Sequence, residues 1–388
     1  LYFDNGPLWY RGNADPTKFD LEQADYILGK LGKESIIIGH TSMPQVMSLH
    51  DNRIILVDSS IKFGESGEML IYEDDLLYRG LLNGDKILLK SATKPIHQRS
   101  IFDYLHNEYE SGTFSIKLNT DLGHLKRNKN MKEYQEGTLS ICNGELDTMH
   151  FDVRVKARGN MRKKVCDLPP IKIDFIKKQL NIQGFSSCDK LKLVLQCNGL
   201  KYQDKYLCKE KLIYDLYARI DTLALRTRIV DFDIVDSEGK SNKYKAFLVE
   251  DEDNIARRIN GQIVVKGLIM IGGLHRESYL KMVFFQYMIM NTDWSISGRH
   301  NVETVKVEHE PRVIAVPYDF DYAGIVGQNY ATPSPLFDIE HVQERLFRGR
   351  YVTEEEFDMT LDFYNSIKDD LIKICNDAVY LEEKDRNK

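Results

Sequence analysis

The strongest constraint on the fold is a change in the spacing of apolar residues along the chain. Between Phe114 and Val249, short segments alternate apolar and polar residues, which is the period of a strand with one buried face. From Glu277 onward helical spacing takes over, and the nearly continuous apolar run from Tyr279 to Met290 indicates a buried helix. A sheet followed by helices predicts an α+β domain with two lobes over residues 113–388.

The elements of this domain follow from local patterns. An amphipathic helix is predicted over Tyr206–Arg219, and closing helices are predicted over Glu354–Leu381. The predicted strands are Phe114–Leu118, Thr138–Ile141, Phe151–Lys156, Ile171–Phe175, Leu191–Leu195, Val230–Val235, Lys245–Val249 and Val313–Val316.

The first segment, residues 1–90, mixes helix and strand signals and predicts one flank of an α/β sandwich. Asp20 is suited to cap a helix that runs to Leu31 and buries Leu21, Ala24, Ile27, Leu28 and Leu31. Residues 91–112, a polar stretch that contains Lys94–Pro95, are the predicted linker. The predicted strands of the first segment are Ser35–Ile38, Arg53–Asp58, Glu68–Tyr72 and Lys86–Leu89.

Composition narrows the class of protein. A chain of 388 residues exceeds what one core organises, so two domains are expected. No apolar run approaches the roughly 20 residues that cross a bilayer. The formal net charge of −6 gives no general reason to expect nucleic acid or an anionic membrane. The six cysteines show no metal-site or disulfide-framework spacing, which favours buried thiols in a reducing cytoplasm.

A set of acidic and amide residues suits phosphoryl transfer, which needs metal-holding carboxylates and a group that orients the nucleophile. Asp319 and Asp321 follow a predicted strand and flank Phe320, an arrangement suited to a hard cation. Upstream, Asp293 and Asn301 lie on one loop after the apolar helix. The alternatives are a turn with solvated acids for the first pair and helix capping for Asp293.

Basic residues supply candidates for holding phosphates. A lysine on a strand, Lys172, with Glu210 on the amphipathic helix would fix a nucleotide's phosphates, and Lys190 and Lys192 are rivals for the lysine. No glycine-rich G-x-G-x-x-G loop exists, so the turn Arg158-Gly159-Asn160 is the candidate phosphate cover. The basic runs 124–132 and 154–164 are better explained by phosphate contacts or a solvated face than by nucleic acid.

Residues from about Thr113 to Ile374 resemble an uncharacterised bacterial family related to the CotH and HipA kinases and, more distantly, to phosphoinositide kinases. The stretches that carry the resemblance are Arg158–Asn160, Cys166–Pro170, Lys190–Val194, Lys209–Tyr214, Asn291–Trp294 and Val316–Asp321. The resemblance implies a bilobal protein-kinase-like fold that binds ATP and Mg²⁺. It also implies that Asp319 binds metal and that Asp293 is the catalytic-loop aspartate.

The run from Gly6 to Leu88 resembles the closing third of calcineurin-like metallophosphoesterases of the protein-phosphatase-like branch. His40 ends a strand within Gly39-His40-Thr41, and Arg11 lies in Gly6–Gly12. The resemblance implies His40 as the last metal ligand and Arg11 as a phosphate contact, whereas a lone histidine at a strand end is more often structural. The earlier family motifs are missing, so a truncated module is expected. Two transition-metal ions, such as Mn, Fe or Zn, would bind only in a complete one.

The chain is therefore expected to be an α/β partial metallophosphoesterase sandwich followed by an atypical kinase-like phosphotransferase in the cytoplasm. Two alternatives stay open: a nucleotide-binding pseudokinase that regulates a phosphatase, and a metal-dependent phosphoesterase in a longer protein. The expected partners are a nucleotide and an unknown protein, lipid or small-molecule acceptor.

Overall fold

The computed structural model divides into two compact units, residues 1–98 and 99–388. The structure describes residues 12, 19–64, 67–74, 76–91, 99–107, 114–142, 148–183, 185–186, 188–197, 204–236, 238–259, 261–265, 267, 269–307 and 310–386.

The first helix of unit 1 lies where the sequence predicts it. Helix α1 spans Leu21–Leu31, and Asp20 caps it through a reciprocal capping box with Gln23. Ala24 and Leu28 are buried, but Leu31, expected on the same face, is 59% exposed. The prediction for Leu31 is wrong: it is the last residue of the helix, which ends at the left-handed Gly32.

Unit 1 contains two three-stranded sheets. The first has the order β1-β3-β2, with β1 (Ile36–Ile38) parallel and β2 (Met47–Leu49) antiparallel to β3 (Ile54–Leu56). The second is an antiparallel meander of β4 (Glu68–Glu73), β5 (Leu76–Leu81) and β6 (Lys86–Ser91). The strands β1, β3, β4 and β6 were expected, whereas β2 and β5 have no distinctive sequence pattern. A metallophosphoesterase sandwich stays a prediction.

The expected linker over 91–112 is wrong for residues 99–107, which belong to unit 2. Helix α2 spans Ile101–Asn107, and its residues Ile101, Phe102 and Leu105 are at most 1% exposed. They pack into the main core of unit 2, so the division between the units lies at residues 98 and 99. Lys94–Pro95 lies outside the described residues.

Unit 2 begins with a closed seven-stranded barrel of order β10-β11-β13-β12-β7-β8-β9. Strands β7 and β12 are parallel, and the other neighbours are antiparallel. The alternation read from the sequence places one residue in two inside the barrel, where they form a continuous apolar core. The strands are β7 (Ser115–Thr120), β8 (Gln135–Cys142), β9 (Thr148–Ala157), β10 (Ile171–Phe175), β11 (Lys190–Leu195), β12 (Thr227–Val235) and β13 (Ser241–Val249).

Helices between and after these strands build a second core. Helix α6 (Asp204–Ile220) and helix α8 (Arg276–Met288) pack with a small antiparallel sheet of order β14-β15-β16. Among the described residues, no helix has the length and apolar character required to cross a membrane. The remaining elements are α3 (Leu122–Arg127), α4 (Met161–Val165), α5 (Lys177–Ile182), α7 (Glu252–Arg258), β14 (Gly261–Ile263), β15 (Val302–Val307), β16 (Ile314–Pro317), α9 (Glu354–Ser366), α10 (Lys368–Asp377) and α11 (Glu383–Arg386).

A buried ion network fastens α2 to the barrel. Arg226, just before β12, donates to Asp103 on α2 at 2.6 Å and to Glu250, just after β13, at 2.7 Å. Arg257 also donates to Asp103, and Arg258 donates to Glu250 at 3.0 Å. Burial raises the pKa of Asp103, but the hydrogen bond from Arg226 and the charge of Arg257 outweigh it and bring the pKa to about 2.

Asp103→Asn is expected to destabilise unit 2 by about 2 kcal/mol at neutral pH, because one pKa unit is worth about 1.4 kcal/mol. The pKa of Asp103 is depressed on folding, so its contribution is present above the ordinary value of 3.8 and disappears as the pH falls toward 2. The measurement is urea unfolding in a Trp9→Phe background, where Trp294 of unit 2 is the remaining tryptophan. The exposed Asp358→Asn is the control, and an equal loss in both variants would contradict the assignment.

Candidate functional site

The candidate site of unit 2 is built around Arg162. The turn between β9 and β10 closes through Arg158 N donating to Pro170 O at 2.8 Å. Gly159 has a φ of +84°, a left-handed conformation that glycine adopts at little cost. The turn leads directly into α4, which carries Arg162 into the interior, where the residue is 5% exposed.

Three elements converge on the Arg162 guanidinium. Its Nη2 donates to Glu210 on α6, and its Nε lies 3.0 Å from Asp321 Oδ2, just beyond β16. Nε also lies 3.0 Å from the hydroxyl of Tyr330, which in turn donates to Asp321 Oδ2 at 2.8 Å. Residues more than 100 positions apart in the sequence are thereby held by one buried cation.

The charges around Arg162 do not balance. Burial raises the pKa of Glu210, the Arg162 charge opposes that rise, and the charges of Asp321 and Asp319 add to it. Burial and then the charge of Asp319 likewise raise the pKa of Asp321. Glu210 Oε1 is buried without a hydrogen-bond partner among the described residues. Carboxyl groups outnumber the one buried guanidinium, and the raised pKa values of Glu210 and Asp321 favour the neutral forms of these two groups.

Asp319 is held in an unusual conformation at the end of β16. Its φ is +59°, which is left-handed, and its backbone N–H donates to the hydroxyl of Tyr214 on α6 at 2.9 Å. The next residue, Phe320, is fully buried and packs edge-on against Tyr214 at 4.8 Å. Strained residues of this kind persist where the surroundings over-determine them, and they cluster at functional sites.

The loop after α8 forms a second part of the site. The amide of Asn301 donates to Asp293 Oδ2 at 2.9 Å and to Asp293 O at 2.8 Å. His300 Nε2 lies 2.9 Å from Asp293 Oδ1, so both carboxylate oxygens are engaged. Paired hydrogen bonds between Ser295 and His300 close the loop and return the chain beside Asp293.

The two parts of the site are adjacent. Tyr318 N donates to Asn301 O at 3.0 Å, and Val302 of β15, which follows Asn301, pairs with Pro317 of β16, which precedes Tyr318. Burial raises the pKa of Tyr322, and the charges of Asp321, Asp293 and Asp319 raise it further. The charges of all three carboxylates therefore act on one tyrosine, Tyr322.

The expected ion pair between Lys172 and Glu210 is wrong. Lys172 Nζ lies 3.4 Å from Asp251, which follows β13, while Glu210 is held by Arg162. The reason is the barrel register: Lys172 on β10 faces Lys192 on β11, and both lysines turn toward Asp251, with Lys192 Nζ at 3.5 Å. Asp251 and the neighbouring Glu252 offset the repulsion between these lysines.

The two other residues expected to hold the phosphates, Arg158 and Asn160, lie in different surroundings. The charge of Arg158 lowers the pKa of Tyr214 and of Tyr318 against the larger effect of burial, so this guanidinium lies near the site. Asn160 is the exposed N-cap residue of α4 and makes no side-chain capping hydrogen bond.

Two candidates belong to unit 1. His40 follows β1, is exposed and has a φ of +63°. Arg11 lies outside the described residues. Within the part of the chain that the structure describes, no group of three or more His, Cys, Asp or Glu residues is arranged to hold a metal ion.

A disulfide bond joins Cys166 to Cys197, which corrects the expectation of free thiols. Cys166 is the C-cap residue of α4, and its N–H donates to Arg162 O at 2.9 Å. Cys197 follows β11, the strand that precedes α6 and Glu210. The bond therefore ties together the segments that deliver Arg162 and Glu210. The spacing of the two cysteines in the sequence gave no sign of this pairing.

Sequence reasoning also missed Arg162, His300 and Tyr330. Arg162 lies in the basic run 154–164, where it looks like its exposed neighbours. Its burial depends on α4, a helix of five residues that the sequence pattern does not predict. His300 adjoins Asn301, and that adjacency was the one available signal.

Comparison with known proteins adds little. No protein-family model matches the chain, and no curated protein matches it. A solved structure of a cold-active protein tyrosine phosphatase is 44% identical over 24% of this chain and 27% of its own, with a TM-score of 0.23. A second structure, of the enzyme from a psychrophilic Shewanella species, is 46% identical over 23% of this chain and 27% of its own, with a TM-score of 0.22. The chain spans about a quarter of the length of these phosphatases.

Arg162→Met is expected to destabilise unit 2 by about 3–5 kcal/mol, because it leaves Glu210 and Asp321 buried without their cation. Arg219→Met is the matched control: the Arg219 side chain is 43% exposed, and it pairs with Asp370, whose side chain is 51% exposed. Such pairs contribute about 0–1 kcal/mol. Urea unfolding followed by Trp294 fluorescence in the Trp9→Phe background measures both. Similar losses in the two variants would contradict a buried anchoring role.

Replacing both Cys166 and Cys197 with serine is expected to destabilise unit 2 by about 2–4 kcal/mol, because the crosslink restricts the unfolded chain. Mass measurement after alkylation, with and without reductant, detects the bond itself. Cys142→Ser, which removes a cysteine that is not part of the disulfide, is the control. Full alkylation of Cys166 and Cys197 without reductant would show that the bond does not form.

Proposed function

We propose that unit 2 binds a nucleoside triphosphate with Mg²⁺ and transfers its terminal phosphoryl group, in an atypical kinase-like manner. The observation that carries the proposal is the position of Asp319 beside the hydrogen-bonded Asp293–Asn301 pair, with a buried cation nearby. Phosphoryl transfer requires carboxylates that hold metal, a group that orients the nucleophile and a positive charge for the phosphates. The site contains carboxylates, an amide and an arginine that suit these roles. The resemblance to CotH and HipA kinases and the two-lobed fold class are parts of this proposal.

The residues present suit a magnesium ion that takes only a few of its ligands from the protein. Mg²⁺ is usually bound by one or two carboxylates together with substrate phosphates, so a cluster of three acidic residues is not needed. No hydrogen bond to the Asp319 carboxylate is found among the described residues. Asn301 uses its amide nitrogen on Asp293, which leaves its Oδ1 as the second oxygen donor.

Asp321, also expected to hold the metal, has one of its two carboxylate oxygens engaged. Its Oδ2 accepts from Arg162 and from Tyr330, and the residue is 6% exposed. Through this oxygen it anchors the Arg162 guanidinium, and its role as a metal ligand stays a proposal.

The proposed roles of the side chains follow from these contacts. Asp293 orients the acceptor hydroxyl and receives its proton, because His300 and Asn301 fix both carboxylate oxygens. Arg162, held by Glu210, and Arg158 supply positive charge toward the phosphates. The bound Mg²⁺ would neutralise the phosphate charge. The acceptor, whether protein, lipid or small molecule, is left open by this arrangement.

Two alternative functions stay open. A pseudokinase would bind nucleotide at the same site without turnover and would regulate a phosphatase. A phosphoesterase would use His40, with Arg11 and two transition-metal ions, in a longer protein; the phosphatase names among the similar structures favour keeping this possibility. A cytoplasmic location also stays a proposal, and the Cys166–Cys197 disulfide argues against it.

Calorimetric titration of the full chain with ATP tests the proposal. Binding is expected to be at least about tenfold tighter with Mg²⁺ than with a chelator, because Asp319 and the phosphates would supply oxygen ligands to the metal. Asp319→Asn should remove this magnesium effect, and the exposed Asp362→Asn should retain it. Absence of ATP binding, or a magnesium effect that survives in Asp319→Asn, would overturn the proposal.

Turnover separates the leading proposal from the pseudokinase. Release of labelled phosphate from ATP, or its transfer to the protein itself, is expected for the wild-type chain. Asp293→Asn should reduce either rate by about a hundredfold or more, the usual contribution of a positioned base. Binding without turnover in the wild-type chain would favour the pseudokinase.

A further inference from the structure

Two segments of unit 2 concentrate positive charge. Residues 122–132 and 154–164 contain lysine and arginine residues and neither aspartate nor glutamate, in a chain whose net charge is −6. The first segment is α3 and the residues after it, and the second is the end of β9, the following turn and α4.

The fold brings these segments together. Lys129 Nζ donates to Cys166 O at 3.2 Å, and Lys126 pairs with Asp167 at 2.8 Å, so the α3 segment lies along the end of α4. Tyr134 joins the surface from the other side, because Lys156 Nζ lies 4.2 Å from the centre of its ring. The segments form one surface, which we call the basic face: Arg127, Lys129, Lys132, Lys156, Lys163 and Lys164.

Much of this charge is not neutralised within the chain. Lys163 and Lys164 have no acidic partner within 4.0 Å in the described residues, and Lys164 is exposed. The same holds for Arg127 and Lys132 there. Concentrated charge of this kind attracts a partner of opposite sign over roughly a Debye length, about 8–10 Å at physiological salt.

The basic face also offers apolar contacts and a small cavity. Met131 is 55% exposed and Val165 is 41% exposed, one in each segment. Beside Lys156 lies a cavity of about 60 Å³, lined also by His124, Asn128 and Glu133. The carboxylate of Glu133 disfavours a second anion in the cavity itself, so the attraction for a partner comes from the lysine and arginine side chains around it.

We infer that the basic face docks an acidic segment of a partner protein in which apolar residues lie among the acidic ones. RNA is a poorer fit, because the aromatic ring of this surface, Tyr134, is covered by Lys156 and Arg154 rather than presented for base stacking. A membrane surface is a poorer fit, because α3 and α4, of six and five residues, are too short to lie in it as amphipathic helices.

The basic face adjoins the candidate site. Helix α4 carries Lys163 and Lys164 on its outside and Arg162 inside, so a docked segment would lie next to the turn of Arg158. The docking does not depend on nucleotide, so it can be tested without ATP. Its failure would leave the proposed phosphoryl transfer untouched.

Fluorescence anisotropy with the full chain and a labelled peptide of repeated Glu-Glu-Leu units tests the inference. The Lys163→Glu/Lys164→Glu variant is expected to weaken peptide binding by about tenfold or more, since attraction becomes repulsion at two contacts. Arg127→Glu/Lys132→Glu, on the α3 side, should weaken it similarly. The matched control is Lys177→Glu/Lys178→Glu, which reverses two exposed lysines on α5 and should bind like the wild type.

The same variants decide between the partner classes. A Gln-Gln-Leu peptide should not bind, and binding of the acidic peptide should weaken as salt rises. Unchanged circular dichroism spectra show that the variants are folded. The inference is overturned by absence of peptide binding at low salt, or by equal binding in all variants. It is also overturned if oligouridylate RNA or phosphatidylserine vesicles bind more tightly than the peptide and lose that binding in Lys163→Glu/Lys164→Glu.

Discussion

The buried guanidinium of Arg162 is the interaction on which unit 2 depends. It contacts Glu210 of α6 and Asp321, which follows β16. One side chain of α4 therefore connects helix α6 to the segment after β16 that contains Asp321. Removing a charge from water costs several kcal/mol, and here that cost is offset by two carboxylates and a tyrosine hydroxyl. The disulfide at the end of α4 and the closed turn at its start restrict how far the arginine can move.

The same arrangement explains how the chain keeps acidic groups together. Asp319, Asp321 and Glu210 repel one another, and burial alone would favour their neutral forms. Arg162 stabilises the pair that it contacts, while Asp319 is positioned through its backbone by Tyr214 and through the buried Phe320 beside it. Glu210 and Asp321 support the scaffold through Arg162, whereas no hydrogen bond to the Asp319 carboxylate is found among the described residues. This division of roles is what the proposed cation site would require.

Much of the secondary structure could be predicted, and the site could be predicted in part. Strands such as β10 and β11 and helices such as α6 bury one face, so local periodicity reveals them. The sequence also places Asp293, Asn301 and Asp319 after the ends of predicted elements, where such residues can lie close together. It does not identify the partner of Glu210. Lys172 and Arg162 are both basic residues near a turn, and which one reaches α6 depends on barrel register and on the direction of α4.

The order of elements, the alternating faces of the strands and the residue types at the end of each element follow from local sequence patterns, because these features depend on neighbours a few residues apart. Tertiary structure alone decided that the strands close into a barrel, that Ile101–Asn107 is part of the core rather than a linker, and that Cys166 meets Cys197. It also decided that Arg162 is an interior anchor while Lys163 and Lys164 remain at the surface. Such choices depend on contacts between distant residues, whose energies no local pattern records.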